Sequence, residues 1–177
     1  GGFAKFLRAF SLIGLTLGIP IGALITGIVV AGRSGSALAA RLGSMVVSQE
    51  VDALAVIGVD PVRYLVAPAL VAMLLMLPLL TLFADAVAIL GAGLYSLGPL
   101  DLSLSAYLAQ TLDLMTPRDL WEGLAKSVVF GALIALIGTS VGFSVNGGAE
   151  GVGRATTRAV VLSISALVLA DMLFSFF

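Results

Sequence analysis

The sequence predicts an all-α polytopic membrane protein with about four transmembrane helices and one short helix at the membrane surface. Apolar residues make up 60% of the 177 positions and charged residues 11%, against about 25% charged residues in soluble domains. The segments 9–32, 64–84 and 127–149 contain no charged residue, and 159–177 contains only Asp171. Each segment is close to the roughly 20 residues that cross a bilayer as a helix. Barrel strands would alternate apolar and polar residues, and no such pattern occurs.

Composition also excludes several classes of function. The sequence contains no cysteine and no histidine, which excludes a disulfide framework, a thiol nucleophile, a Cys/His zinc site and a histidine-based triad. The net charge is −1 with no basic run, so nothing indicates a nucleic-acid partner. Lys5 and Arg8 precede an apolar run that is longer than a signal-peptide core of about 7–15 residues, so we expect a retained span.

The first span is expected to run from about Phe10 into the segment 31–37. Pro20 lies inside it and should kink or break the helix. Two rows of small residues follow at a spacing of four, which favours close helix packing. The rows are Gly32, Ser36 and Ala40, and Gly35, Ala39 and Gly43.

The segment 43–61 lies between two spans and has the pattern of a short amphipathic helix on the membrane surface. Its apolar face contains Val47, Val51, Leu54 and Ala55. Gly58 is a stop signal, and Asp60 and Pro61 are the N-cap and first residue of the next helix. The residues alone leave open whether this helix only rests among lipid headgroups.

The second span begins at Pro61 and reaches Asp85 near the far membrane interface, where we expect a hydrated carboxylate. The segment 91–116 is predicted to be an exposed loop with a short surface helix. A third helix begins at Pro117. The glycine-rich segment 146–153 lacks the spacing and the Lys-Ser/Thr of a Walker A motif, so it is interpreted as a tight turn.

Arg154 and Arg158 are expected to open the last helix. Alternation of the spans places 33–63 and 146–158 on one side of the membrane, with five Lys or Arg residues against four on the other side. The positive-inside rule therefore favours, by a small margin, a cytoplasmic position for 33–63.

Three blocks of sequence occur in order along almost the whole chain. The first is Val30-Ala31-Gly32-Arg33-Ser34-Gly35-Ser36-Ala37 with Leu42-Gly43-Ser44-Met45. The second is Glu50-Val51-Asp52-Ala53-Leu54 with Gly58-Val59-Asp60-Pro61 and Tyr64-Leu65-Val66-Ala67-Pro68. The third is Lys126-Ser127-Val128-Val129-Phe130-Gly131 with Glu150-Gly151-Val152-Gly153-Arg154 and the residues up to Val161. Together these blocks resemble the MlaE (also YrbE) permease family.

The resemblance implies one permease domain over 1–177 in the bacterial inner membrane, matching the C-terminal two-thirds of family members and lacking their N-terminal interfacial helix and first span. It implies a homodimer that carries phospholipid and is driven by a cytoplasmic ABC ATPase, which holds the ATP and magnesium. A STAS-domain regulator and a periplasmic MCE-domain protein are further implied partners. This chain itself is expected to be no enzyme and to hold no cofactor.

Through the same resemblance, the segment 43–61 becomes the coupling helix that docks on the ATPase. The implied ATPase-coupling residues are Met45, Glu50, Asp52, Leu54, Gly58, Asp60 and Pro61. The chain departs from the family at Ile19-Pro20, where an Arg-Glu pair is common. It also departs at Arg41, where a glutamate is usual, and at Ala69, where an arginine is frequent.

Lys126 and Asp171 are the charged residues for which binding to lipid is considered. Lys126 lies four residues after Glu122, the favourable order for a helical ion pair. The alternative is that its ammonium group faces a dimer cavity and binds a lipid phosphate. Asp171 lies well inside the last span by helical rise, so its carboxylate needs a partner or water.

Two other functions remain open from the residues alone. An ion-coupled secondary transporter or channel would carry ionisable residues near the midplane and a repeated half, and only Asp171 fits. A membrane enzyme acting on lipid would need a nucleophile and a base, and no catalytic pair or metal-ligating cluster is recognisable.

Overall fold

The computed structural model describes residues 21–97, 105, 107, 109 and 117–176. Within them the chain forms five helices and no strand, and four of the helices are long and apolar enough to cross a membrane. The helices are α1 (Ile21–Val47), α2 (Glu50–Val56), α3 (Val62–Val66 continuing as Ala67–Leu97), α4 (Pro117–Phe143) and α5 (Gly148–Phe176). The predicted all-α membrane fold with four spans is confirmed. Predictions for Pro20 and for most of the loop 98–116 fall on residues outside this description, and the described residues 105, 107 and 109 are helical.

Helix α4 lies at the centre of the bundle and packs against α1, α3 and α5, while α1 also packs against α5. The buried side chains at these contacts include Leu77, Phe130, Ile134 and Leu167, each 0% exposed. By contrast, α3 turns many large apolar side chains outward, including Phe83 and Leu90. An outward apolar surface of this kind fits a helix that faces lipid.

Small residues allow α4 to approach its neighbours closely. A Cβ placed on Gly131 would lie 2.7 Å from the Met73 carbonyl oxygen of α3, and one on Gly138 would lie 3.1 Å from the Gly35 carbonyl oxygen of α1. Gly43, in the same row as Gly35, would bring a Cβ to within 2.7 Å of Val145. The Gly32 position is different, because a Cβ there would meet no atom within 4 Å.

Helix α1 continues further than the sequence indicated. The span was expected to end in the segment 31–37, but the helix runs on to Val47, so the predicted start of the next helix at 43 is wrong. Ala31–Gly35 forms a wider, π-helical turn within α1, and Ser36 Oγ donates to the carbonyl oxygens of Gly32 (2.6 Å) and Arg33 (3.0 Å). This side-chain bonding satisfies backbone acceptors where the helical register changes.

Helix α3 is also longer than predicted, because it continues past Asp85 to Leu97 and so includes part of the expected loop 91–116. Gly93 suits this extension: a Cβ there would lie 3.0 Å from the Tyr107 ring, whose hydroxyl donates to the Ile89 carbonyl oxygen (2.7 Å). Asp85 itself is 9% exposed and faces Gly22 of α1. The expectation of a fully hydrated carboxylate at Asp85 is therefore wrong.

The glycine-rich segment forms the expected tight turn between α4 and α5. Gly147 and Gly148 have φ values of 93° and 69°, which side chains disfavour. Helix α5 already begins at Gly148, so most of the segment 146–153 is helix, and the prediction that Arg154 and Arg158 open α5 is wrong by about two to three turns. Gly43 and Val145 meet near this turn, so it lies at the same end of the bundle as α2, which we call the α2 end.

Candidate functional site

Helix α2 projects from the α2 end of the bundle as a short elbow between two sharp turns. The first turn is at Gln49, which has φ 60° and is the non-glycine residue with positive φ among those the structure describes. Ser48 Oγ donates to Glu50 Oε1 (2.9 Å) and to the Ser44 carbonyl oxygen (3.0 Å). The left-handed residue ends α1 and changes the chain direction, so α2 is a separate helix.

The second turn contains the residues that the sequence identified. Gly58 has φ 83°, as a helix stop requires. Asp60 Oδ1 accepts a hydrogen bond from the Val62 backbone N–H (2.9 Å), so it is the N-cap of α3. Pro61 follows directly, and Arg63 Nε lies 3.7 Å from Asp60 Oδ2. The stop, cap and proline signals were thus interpreted correctly.

The coupling candidates lie on α2, in the last turn of α1 and in the turn that leads into α3. Glu50 and Asp52 are exposed in the first turn of α2, and Leu54 is half-buried. Met45 is half-buried but lies in the last turn of α1, and not on α2 as the predicted helix 43–61 implied.

Sequence reasoning missed Val56 and Ile57, whose exposed fractions are 86% and 71%. They lie at the C-terminal end of α2 and form an exposed apolar surface, which we call the tip. The prediction treated 43–61 as one helix and so counted the apolar face from Val47. The same helical periodicity already places Val56 and Ile57 off the face of Val51 and Leu54, so two aliphatic side chains off the apolar face were the available signal.

Lys126 and Asp171 meet at the end of the bundle opposite α2. Lys126 Nζ donates to Asp171 Oδ1 at 3.0 Å, and the side chains are 8% and 24% exposed. The alternative helical pair of Lys126 with Glu122 is wrong, because Arg118 Nε donates to Glu122 Oε1 at 2.8 Å. A partner for the Asp171 carboxylate was expected, and the structure supplies it.

A cleft lined by small aliphatic and hydroxyl-bearing side chains lies between α1 and α5 on the surface of the bundle. Its walls combine Ser36 and Ala40 of α1 with Thr156, Thr157 and Val161 of α5, and its volume is about 470 Å³. Next to it on α5, Arg154 Nη1 lies 3.0 Å from Glu150 Oε1, and Arg158 is exposed. The hydroxyls of Ser36, Thr156 and Thr157 donate to carbonyl oxygens of their own helices. These small side chains leave room for a further helix to approach the cleft closely.

The two rows of small residues differ in burial. The row of Gly32, Ser36 and Ala40 lies at the surface of the bundle, and the row of Gly35, Ala39 and Gly43 lies inside it. Ala39 and Gly43 are buried within the bundle, whereas Gly32 is exposed. Among the residues that the structure describes, no group of three acidic side chains is placed to hold a metal ion.

Comparison with known proteins shows the family of this chain. The family model described as Permease MlaE matches residues 3–177. This chain is an MlaE-family permease. A relative from Rickettsia prowazekii, named a probable ABC transporter permease protein, is 37% identical over 97% of this chain and 68% of its own length.

Two further relatives come from photosynthetic organisms. The Arabidopsis thaliana protein named Protein TRIGALACTOSYLDIACYLGLYCEROL 1, chloroplastic, is 39% identical over 98% of this chain and 52% of its own length. A probable ABC transporter permease protein from Synechocystis is 38% identical over 93% of this chain and 62% of its own length. The MlaE-family chain thus spans about half to two thirds of the relatives it matches.

Proposed function

We propose that this chain is the membrane subunit of an ABC-type phospholipid transporter, and that a separate cytoplasmic ATPase drives it through α2. The observation that carries the proposal is the elbow of α2, which lies outside the four spans and exposes Val56 and Ile57. Exposed aliphatic side chains on a projecting helix are typical of a surface that a partner covers. The acidic residues Glu50 and Asp52 beside them would give this contact charge specificity.

On this proposal the ATPase binds ATP and magnesium, and its motion reaches the bundle through the two turns of the elbow. The turn at Gln49 connects α2 to α1, and the cap at Asp60 connects it to α3. A displacement of α2 would therefore move α1 and α3 together. Met45, Leu54, Gly58 and Pro61 would act by holding the elbow in shape. The α2 end would then be cytoplasmic, in the inner membrane of a bacterium.

The first experiment tests docking of the ATPase on α2. Glu50→Lys and Val56→Asp are introduced into the complete permease, which is purified with the ATPase encoded alongside it. We expect both variants to lose most of the bound ATPase and coupled lipid transport. Glu122→Lys, an exposed acid at the opposite end, is the control and should keep both. Normal docking and transport by Glu50→Lys and Val56→Asp would refute the role of α2.

The cleft between α1 and α5 supports a homodimer as the second part of the proposal. Two copies facing each other across this cleft would cover Arg158 and Thr157 and would enclose a cavity with polar and apolar walls. Such walls suit a phospholipid, which has a charged headgroup and apolar chains. The Arabidopsis relative bears the name of a galactolipid, which also supports a lipid as cargo.

The cysteine-free sequence makes the dimer arrangement easy to test. Thr157→Cys should cross-link two copies through a short bifunctional maleimide in membranes. Val71→Cys, on the exposed outer face of α3, should not. Cross-linking at Val71→Cys and none at Thr157→Cys would exclude this interface.

A lipid-binding role for Lys126 and Asp171 stays a prediction. A phosphate would have to compete with the Asp171 carboxylate for the Lys126 ammonium group. Lys126→Ala in the reconstituted complex should slow lipid transport if that competition occurs. An unchanged lipid flux would remove the claim. A STAS-domain regulator and an MCE-domain partner are proposed on the family resemblance alone, and co-purification from native membranes tests them.

A further inference from the structure

A second groove lies on the other side of α1, between the α2 half of α1 and the first turns of α3. Its volume is about 720 Å³, within the range of about 300–1,000 Å³ that is typical of small-molecule sites. Leu42 and Met73 form its floor, and Ala72 forms part of its apolar wall. Arg41 and Tyr64 supply the large polar side chains of the lining.

The polar side chains of this groove lie at its mouth. Arg41 is six residues before the end of α1, which is about 9 Å along the helix axis. Tyr64 is in the first turn of α3, at the same end of the bundle. Ala72 and Met73 lie two to three turns further along α3. In a bilayer that covers the four spans, the mouth of the groove would lie at the level of the lipid headgroups and its apolar walls at the level of the acyl chains.

The charge at the mouth is unbalanced among the described residues. Arg41 is exposed and has neither an ion pair nor a hydrogen bond from its guanidinium group to the described part of the chain. Arg63 is also nearby in sequence, but it pairs with Asp60. Arg41 thus supplies a free guanidinium group, whose planar donors match the geometry of a phosphate.

We propose that this groove holds one anionic phospholipid of the surrounding leaflet, with its phosphate on Arg41 and one acyl chain along Ala72 and Met73. Basic pockets between transmembrane helices at the cytoplasmic surface bind anionic headgroups in this way. The site is separate from the cleft between α1 and α5, because Arg41 and Ser36 line different grooves on α1. Orientation of the α2 end toward the cytoplasm rests on the proposed function, whereas the binding site itself does not.

Charge argues against the segment 1–20 as the occupant of the groove. The segment 1–20 contains Lys5 and Arg8 and no acidic residue, so it would add positive charge at the mouth and leave Arg41 unneutralised. An anionic lipid supplies the missing charge and the apolar chain in one molecule. It also reaches the groove by lateral diffusion from the bilayer.

Native mass spectrometry of the complete permease, titrated with phosphatidylglycerol in a mild detergent, tests the proposal. Two variants address the two halves of the ligand: Arg41→Gln removes the cation, and Ala72→Phe fills the wall at an exposed position. We expect one tightly held phosphatidylglycerol per protomer and at least fivefold weaker binding in each variant. Arg63→Gln, whose parent residue is already paired, should bind as the wild type does.

Three results would overturn the proposal. One is affinity within twofold of the wild type for Arg41→Gln or Ala72→Phe. Another is equal binding of phosphatidylcholine, which would show that the anionic charge is not recognised. The third is cross-linking of Ala72→Cys to segment 1–20 or to a second copy, which would show a protein occupant. Glycerol phosphate at millimolar concentration should not displace the lipid, since the acyl chain contributes to binding.

Binding is measured without ATP or an ATPase, so its outcome is independent of transport. Loss of lipid binding in Arg41→Gln with coupled transport intact would support this site and leave the proposed function standing. Absence of ATPase docking on α2, with phosphatidylglycerol still bound at Arg41, would refute the proposed function and leave this site standing.

Discussion

Lys126 Nζ and Asp171 Oδ1 lie 3.0 Å apart and join α4 to α5 at the end of the bundle opposite α2. The two residues are 45 positions apart in the sequence, and the side chains are 8% and 24% exposed. Each charge is therefore largely removed from water and has the other as its ion-pair partner. Because α4 is the central helix, the ion pair also holds α5 against the rest of the bundle.

Removing one partner of this pair should destabilise the fold more than removing both. Lys126→Met leaves the Asp171 carboxylate without its cation, and we expect a loss of up to about 3 kcal/mol. Lys126→Met combined with Asp171→Leu should recover most of that loss, because no unpaired charge remains. Thermal unfolding of the detergent-solubilised protein measures both.

Arg118→Met is the matched control for that experiment. It breaks the pair with Glu122, in which the side chains are 80% and 54% exposed. A pair so accessible to water contributes about 0–1 kcal/mol. If Arg118→Met lowered stability as much as Lys126→Met, burial would not explain the effect.

Two glycines of α4 should respond in opposite directions to the same substitution. Gly131→Ala would place its Cβ 2.7 Å from the Met73 carbonyl oxygen, and a backbone atom cannot move aside without separating α3 from α4. We expect a loss of about 1–3 kcal/mol. Gly123→Ala meets no atom within 4 Å and should gain up to about 1 kcal/mol from reduced backbone entropy in the unfolded chain. Equal unfolding midpoints for the two variants would contradict this packing.

Local signals allowed much of this fold to be predicted. Apolar run length predicted the four spans, and Gly58, Asp60 and Pro61 defined the turn into α3 because stop, cap and proline act within a few residues. The end of α1 could not be predicted the same way. The rows of small residues indicated helix packing as far as Gly43, but they do not mark the end of the helix, which comes at Val47 before the left-handed Gln49.

Contacts between side chains of different helices could not be predicted from the sequence. Lys126 has a plausible helical partner in Glu122, yet its observed partner comes from another helix. Asp85 was expected in water, and it is buried because Gly22, from a different span, leaves space for its carboxylate. Neither pairing leaves a periodic signal in the sequence. The exposed tip at Val56 and Ile57 was missed for a different reason. Periodicity placed both side chains off the predicted apolar face, and their exposure of 86% and 71% follows from the projection of α2 from the bundle.

The contact between Gly22 and Asp85 should show strong coupling. A Cβ on Gly22 would overlap Asp85 Oδ1, so Gly22→Ala should displace the carboxylate and lower stability. Asp85→Ala creates the space that the new methyl group needs. We therefore expect the double variant to be more stable than the sum of the single changes predicts, with a coupling of at least about 0.5 kcal/mol. Additive effects in a double-mutant cycle of unfolding free energies would rule out direct contact.

Substitutions at the two left-handed residues of the elbow should change the stability of α2 in opposite directions. Gln49 has φ 60° with a side chain present, so Gln49→Gly should relieve backbone strain and stabilise α2 by about 0.5–1 kcal/mol. Gly58 has φ 83° and open space around its Cβ position, so any loss in Gly58→Ala must come from the backbone and not from a steric clash.

Hydrogen exchange of the backbone amides of 50–57 measures both effects locally. A change of about 1 kcal/mol alters local opening by about fivefold, so protection should rise in Gln49→Gly and fall in Gly58→Ala. Gly153→Ala, in the regular helix α5 with open space around it, is the control and should leave these amides unchanged. If protection of α2 changed in the same direction for Gln49→Gly and Gly58→Ala, left-handed backbone strain would not control the order of the elbow. In that case the turn hydrogen bonds from Ser48 to Ser44 and Glu50 would be the features that hold α2 in place.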